Sequence, residues 1–189
     1  MLTDWRSYQG DHGTSWFEQL PCQQWAPSDG HGNVRAVALD GWVQPPATIA
    51  GWLRVDEVDA EQPWDGLHVV VAAGNHHMLI ASLARSDGVT VVSRQWGEGR
   101  YDDLARTDDG LQVDPGYTFA FEVDWPESDR LRLRVGTSWR GTVELDADIP
   151  TVATGGAMAG HDVPRLTGGL VGIRFDRLTV RGHIGASGR

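Results

Sequence analysis

The residues of this chain best suited by type and spacing to do chemistry are three carboxylates in Glu122-Val-Asp-Trp-Pro-Glu127. Alternate residues of a strand project from one face, and glycoside hydrolysis with retention needs two carboxyls about 5.5 Å apart, one as nucleophile and one as acid/base. Glu122, Asp124 and Glu127 meet that spacing on a bulged strand. Against it, Pro126 stands between Asp124 and Glu127, and Pro126-Glu-Ser-Asp129 carries turn chemistry, which points Glu127 at solvent. A glycan-active hydrolase or lyase built on this set is therefore the alternative reading, with no catalytic residue as the first.

Other reactive groups are scattered. His76 and His77 are adjacent, so on a strand they face opposite ways, and neither a His-x-His nor a His-Glu-x-x-His spacing accompanies His68, His12, His31 or His161. No transition-metal site is expected. Asp102-Asp103 and Asp108-Asp109-Gly110 place hard oxygen ligands in polar segments, where calcium could bind and where solvated acidic turns are the plainer reading. Cys22 is the single cysteine, which excludes an internal disulfide and a cysteine-held structural zinc. It follows Pro21 without a cationic neighbour and reads as an inert thiol. Gly155-Gly and Gly168-Gly lack the strand-to-helix setting of a dinucleotide loop.

Aromatic residues carry the remaining signal. Of nine tryptophans, Trp42, Trp52 and Trp125 lie in alternating stretches and are expected in the core. Trp64, Trp96 and Trp139, with Tyr101, fall in loops and are candidates for a platform on which a sugar ring stacks. Asn75, His76, Arg94, Gln95, Glu98 and Asp102 stand near them in sequence and could hydrogen-bond hydroxyls.

The elements that would position these groups are short strands. Tyr117, Phe119, Phe121, Val123 and Trp125 share one side of a period-2 segment, and in Arg130-Leu-Arg-Leu-Arg-Val135 the arginines share one face and the aliphatics the other. Together they predict an antiparallel hairpin. Further strands are expected at Val34–Trp42, Ile49–Val58, Leu67–Ala73, Met78–Ala84 and Val89–Trp96, with an Asp-Gly turn in Arg85-Ser-Asp-Gly88 and a short one at Ser15–Leu20. Between Trp96 and Gly116 the pattern predicts a long loop with a short strand near Leu111–Val113, and residues 149–164 read as an aperiodic loop. No segment sustains helical spacing, and no repeat is present.

At 189 residues the chain forms one domain, with residues 1–33 as an N-terminal arm packed on the body, 34–183 as the β-domain and 184–189 as a tail. A formal charge of −10 argues against a nucleic-acid backbone or an anionic membrane as partner. All 16 basic residues are arginine. Without a basic-then-apolar leader or an apolar run near ~18 residues, the chain reads as soluble and cytoplasmic as it stands, unless it is excised from a larger protein.

The order of a Gly-rich hinge, His-His-Met-Leu-Ile, a Ser-Asp-Gly turn, Val-Thr-Val-Val, Phe-Ala-Phe-Glu-Val, Leu-Arg-Leu-Arg-Val-Gly and Gly-Leu-Val-Gly-Ile-Arg-Phe-Asp-Arg-Leu-Thr-Val resembles the concanavalin A-like lectin/glucanase jelly roll. It looks most like the laminin-G-like and glycan-binding accessory modules of bacterial proteins, over roughly Thr48 to Gly182. Glu122, Asp124 and Glu127 resemble the carboxylate signature of retaining jelly-roll glucanases, and related jelly rolls use calcium. Unlike those modules, the chain puts Arg174 directly before Phe175, which predicts either a shortened final hairpin or one continuous strand.

The expectation is thus an all-β, two-sheet antiparallel jelly-roll sandwich that binds a glycan or small polar ligand without catalysis, as an accessory module beside an enzyme. The ligand residues expected are Trp64, Asn75, His76, Arg94, Trp96, Glu98, Tyr101, Asp102 and Trp139, and calcium could bind at Asp102, Asp103, Asp108 and Asp109. The alternatives are a jelly-roll hydrolase or lyase and a protein-interaction sandwich.

Overall fold

The computed structural model describes residues 5–8, 23–25, 35–74, 77–96, 101–138, 140–150, 152–153, 162–163 and 166–188. Alternating sequence becomes two antiparallel sheets. One has seven strands: β1 (Trp5–Tyr8), β3 (Arg35–Val43), β14 (Gly169–Phe175), β5 (Gly66–Gly74), β6 (His77–Arg85), β7 (Thr90–Trp96) and β8 (Tyr101–Thr107), in that spatial order. The other has six: β11 (Val143–Asp148), β10 (Arg130–Thr137), β9 (Thr118–Glu127), β4 (Ala47–Val58), β15 (Leu178–Gly188) and β2 (Gln23–Trp25). Among the described residues, β12 (Val152–Ala153) pairs only with β13 (Asp162–Val163). No helix of the described residues is long and apolar enough to cross a membrane.

The inner faces make one core, in which Trp125, Phe119 and Leu53 of the six-stranded sheet meet Phe175, Leu67, Leu79 and Leu83 of the seven-stranded one. The β9–β10 hairpin follows the alternation: Phe119, Phe121, Val123 and Trp125 are buried with Leu131, Leu133 and Val135, while Arg130 and Arg134 are exposed. At the β6–β7 turn Gly88 takes φ 76°, a conformation that glycine adopts without a Cβ penalty, and its N–H closes onto the Arg85 carbonyl at 3.0 Å.

Several expectations are corrected. Residues 101–107 are not loop: β8 pairs with β7 at the sheet edge, while Leu111–Val113 contributes only an isolated bridge from Gln112 to Arg85. Its polar composition hid the strand, because an edge strand packs on one side only and tolerates charge. The closing element is neither a hairpin nor one strand. β14 lies in one sheet and β15 in the other, and Asp176-Arg177 steps between them with Arg177 at φ 54°. Residues 184–188 are strand rather than tail, since β15 pairs with β4 as far as Gly188↔Ala47. Inside the stretch read as an arm, β1 pairs with β3 and β2 with β15. The expected strand at Ser15–Leu20 lies outside the described residues. Trp125 is core, but Trp52 is not. Ile49, Leu53 and Val55 are buried inward, which turns Thr48, Ala50, Trp52 and Arg54 outward.

Candidate functional site

The outer face of the seven-stranded sheet gathers polar side chains from strands far apart in sequence. By register Arg174, His68, Ser82 and Val91 form one row, and Val70, Ile80 and Ser93 the next. Tyr101, opposite Gln95, is on the same face. On a flat sheet the four strand spacings from β14 to β8 would separate Arg174 from Tyr101 by about 19 Å. Instead an Arg174 Nη1–H donates to the Tyr101 hydroxyl oxygen at 3.4 Å. The sheet therefore curls, and this face is a trough with Arg174 and Tyr101 reaching across it. Val70, Ile80, Val91, Ser82 and Ser93 form its buried floor. The Gln95 Oε1 is buried there without a hydrogen-bond partner, a state that native proteins rarely tolerate without a function.

A relay holds Arg174 from below. His68 Nδ1 lies 2.8 Å from the Ser82 Oγ, and His68 Nε2 lies 3.1 Å from the Asp176 Oδ2. Burial keeps the imidazole from protonating, against the pull of the Asp176 hydrogen bond and charge. Burial pushes the Asp176 carboxyl up, yet the His68 hydrogen bond and the charges around it, Arg174 included, outweigh burial and hold it below the usual carboxylate range. A carboxylate only accepts, so Nε2 carries the proton and Nδ1 accepts from the Ser82 hydroxyl. The Arg174 Nε lies 3.6 Å from the Asp176 Oδ1. Burial opposes the Arg174 charge, but Asp176 and Tyr101 more than offset it and raise its pKa.

Although it contains Ser, His and Asp, this relay is not a nucleophilic triad of the usual build. Ser82 is only 4% exposed, on the floor between neighbouring strands, so an acyl group has no approach to its Oγ. The relay fixes the position of Arg174. In the sequence His68 stands out only as one of several histidines without metal-ligand spacing, and no local motif marks Ser82. Alternation put His68 on a strand, but nothing local tied it to Asp176 across the fold.

The expected site residues are dispersed. Trp64 is 57% exposed but precedes Gly66, at the strand end opposite by register to the one where Tyr101 faces Gln95. The single platform of Trp64 with Tyr101 is thus not assembled. Arg94 pairs with the inward-facing Leu79, is 1% exposed and donates to the Pro150 carbonyl at 2.6 Å, so it serves the sandwich interior and not the outer face. Burial pulls its pKa down against the attraction of Asp102, whose Oδ2 is 4.0 Å away. Trp96 ends β7 opposite His77. Asn75, His76, Glu98 and Trp139 lie outside the described residues.

The acidic clusters meet arginine. Asp103 and Asp108 converge on Arg106, at 3.4 and 2.8 Å, and the Asp109 N–H bonds the Thr107 hydroxyl. Among the described residues no three of His, Cys, Asp and Glu come together as a group that could hold a metal ion. Glu122 and Asp124 share the outer face of the six-stranded sheet, where Glu122 pairs with Arg134 at 3.4 Å and Asp124 accepts from Thr48 at 3.2 Å. Glu127 is exposed at the hairpin end, opposite Arg130 and past a register shift.

With this geometry the chain is similar to known structures. It aligns with the carbohydrate-binding module CBM66 from Bacillus subtilis over 98% of this chain and 96% of that one, at TM-score 0.64 and 9% identity. The fold is a galectin-like jelly-roll sandwich. A Bacillus subtilis protein described as having a galectin-like fold matches over 100% and 92% of the two chains, at TM-score 0.62 and 13% identity. The Lotus tetragonolobus seed lectin matches over 97% and 92%, at TM-score 0.55 and 9% identity. No protein-family model matches the chain, and no curated protein matches its sequence.

Proposed function

We propose that this chain is a non-catalytic carbohydrate-binding domain, an accessory module of the laminin-G-like kind beside a larger bacterial enzyme, and that the trough on the seven-stranded sheet takes the glycan. The observation that carries this reading is the unpartnered Gln95 Oε1 in a trough spanned by Arg174 and Tyr101. With its side chain turned outward, Gln95 accepts from a sugar hydroxyl that in turn accepts from Arg174, and the half-exposed Tyr101 ring covers the apolar face of the pyranose. Two of the similar structures are, by their own names, a carbohydrate-binding module and a lectin. The relay of Ser82, His68 and Asp176 supports the same reading, because a preorganised donor loses less freedom when ligand arrives.

The test is a glycan and polysaccharide screen of the purified chain, with and without calcium, scoring release of reducing ends or unsaturated products in the same wells. Binding without product, lost in Tyr101→Ala and Gln95→Ala at unchanged unfolding midpoint, is the expected result. Product release abolished by Glu122→Gln would replace this reading with the hydrolase or lyase.

A further inference from the structure

The outer face of the six-stranded sheet carries a second, separate feature. Trp52 faces outward from β4 and is only half-buried. Its neighbours by register are Ala120 on β9 and His183 on β15, and Ala120 is followed by Gly136 on β10. In the adjoining row stand Ala50 and Gly185. The indole thus lies in a channel where the flanking residues, His183 excepted, reach no further than a methyl group. The channel is open: a Cβ built on Gly185 meets nothing within 4 Å. At its β10 end it runs into a depression of ≈ 600 Å³ lined by Thr118, Ala120, Glu122, Arg134, Gly136 and Thr142.

Charge pairs wall the channel on both sides. On one, Arg134 lies between Glu122 at 3.4 Å and Glu144 at 3.1 Å. On the other, Asp56 receives Arg181 at 2.7 Å and Arg54 at 3.5 Å. Every cation in the walls faces a carboxylate, and across the two walls three arginines meet three carboxylates, so the channel as a whole offers no net charge to an anion or a cation. A protein partner would have to strip water from both ladders, which ion pairs repay poorly. A neutral polyol does not: its hydroxyls replace that water at Glu122, Arg134, Thr118 and Thr142, while its C–H face rests on the indole.

We infer that the Trp52 channel is a second carbohydrate site, for a neutral oligosaccharide, on the sheet opposite the trough. The site is built into the strand pair. Gly51 and Gly182 flank the Trp52–His183 pair, and any Cβ there would run into the backbone carbonyls of His183 and Trp52 respectively.

The deciding experiment is a backbone-amide NMR titration of the full chain with neutral gluco-, manno-, galacto- and fructo-oligosaccharides. Expected are shifts at Ala50, Trp52, Ala120, Gly136 and Gly185 that persist in Tyr101→Ala, weaken at least tenfold in Trp52→Ala, and vanish in Gly185→Arg, whose side chain fills open space without disturbing the core. Shifts confined to Ser93, Gln95 and Gly172 would overturn this site and leave the trough standing. Wild-type affinity at the channel residues in both Trp52→Ala and Gly185→Arg, or no shift there with any of the four oligosaccharides, would also overturn it.

Discussion

The two outer faces of this sandwich are both rich in charge, yet they handle it in opposite ways. On the seven-stranded sheet His68 and Asp176 are joined across distant parts of the chain and are buried, with the partly exposed Arg174 beside them. On the six-stranded sheet Arg132 with Asp146, and Arg134 with Glu122 and Glu144, join adjacent strands at the exposed surface. Buried pairs are costly to make and costlier to break, so they fix shape, whereas exposed ladders are cheap and exchange with water. One face therefore holds its polar groups in fixed places, and the other exchanges its hydrogen bonds with water.

The sharpest way to break that comparison sets two tryptophans against each other. Trp125→Ala, in the core, is expected to cost about 3–5 kcal/mol in urea unfolding, while Trp52→Ala costs roughly 1 kcal/mol or less. Equal losses would mean that Trp52 is core after all. Next, Asp176→Ala leaves Arg174 and the His68 N–H uncompensated near the trough floor, an expected loss of about 3 kcal/mol. It should also loosen Arg174, so any glycan affinity of the trough falls with it.

Acid separates the faces further. The folded pKa of His68 lies below its ordinary 6.5, so the unfolded chain binds the extra proton first, and stability that is complete above pH 6.5 declines as pH falls below it. Asp176 adds a second loss, starting as pH falls below its ordinary 3.8. A thermal midpoint measured from pH 8 to 3 should show both, and His68→Gln should remove the upper step and alter the lower one, because the His68 hydrogen bond helps to hold Asp176 down. The smallest effect belongs to the exposed ladder. Asp146, held below the usual carboxylate range by the Arg132 hydrogen bond, is fully exposed, and Asp146→Ala should leave the neutral-pH midpoint unchanged.

Much of this architecture was legible in the alternation. The parity of Arg130, Arg132 and Arg134 against Leu131, Leu133 and Val135 announces the β9–β10 hairpin, because one face must be buried and the other wet. Parity also placed Trp52 with Ala50 and Arg54 rather than with Ile49 and Leu53, but its size and apolarity suggested core. β8 was illegible because Tyr101-Asp-Asp-Leu-Ala-Arg-Thr alternates no apolar face. The sheet change at Asp176-Arg177 carries no glycine to mark Arg177's positive φ. The trough itself had no sequence signal: Gln95, His68, Arg174 and Asp176 meet only through long-range register.

The placement of β14 and β15 sets how the protein comes into being. Each late strand occupies an interior position, β14 between β3 and β5 and β15 between β2 and β4. Neither sheet can close on the ribosome before these strands emerge, so the nascent chain waits with unpaired edges exposed. Non-local pairing of this kind folds slowly, and its half-built state is the one most open to aggregation. A chain stopped before Gly169 lacks an interior rung of each sheet at once.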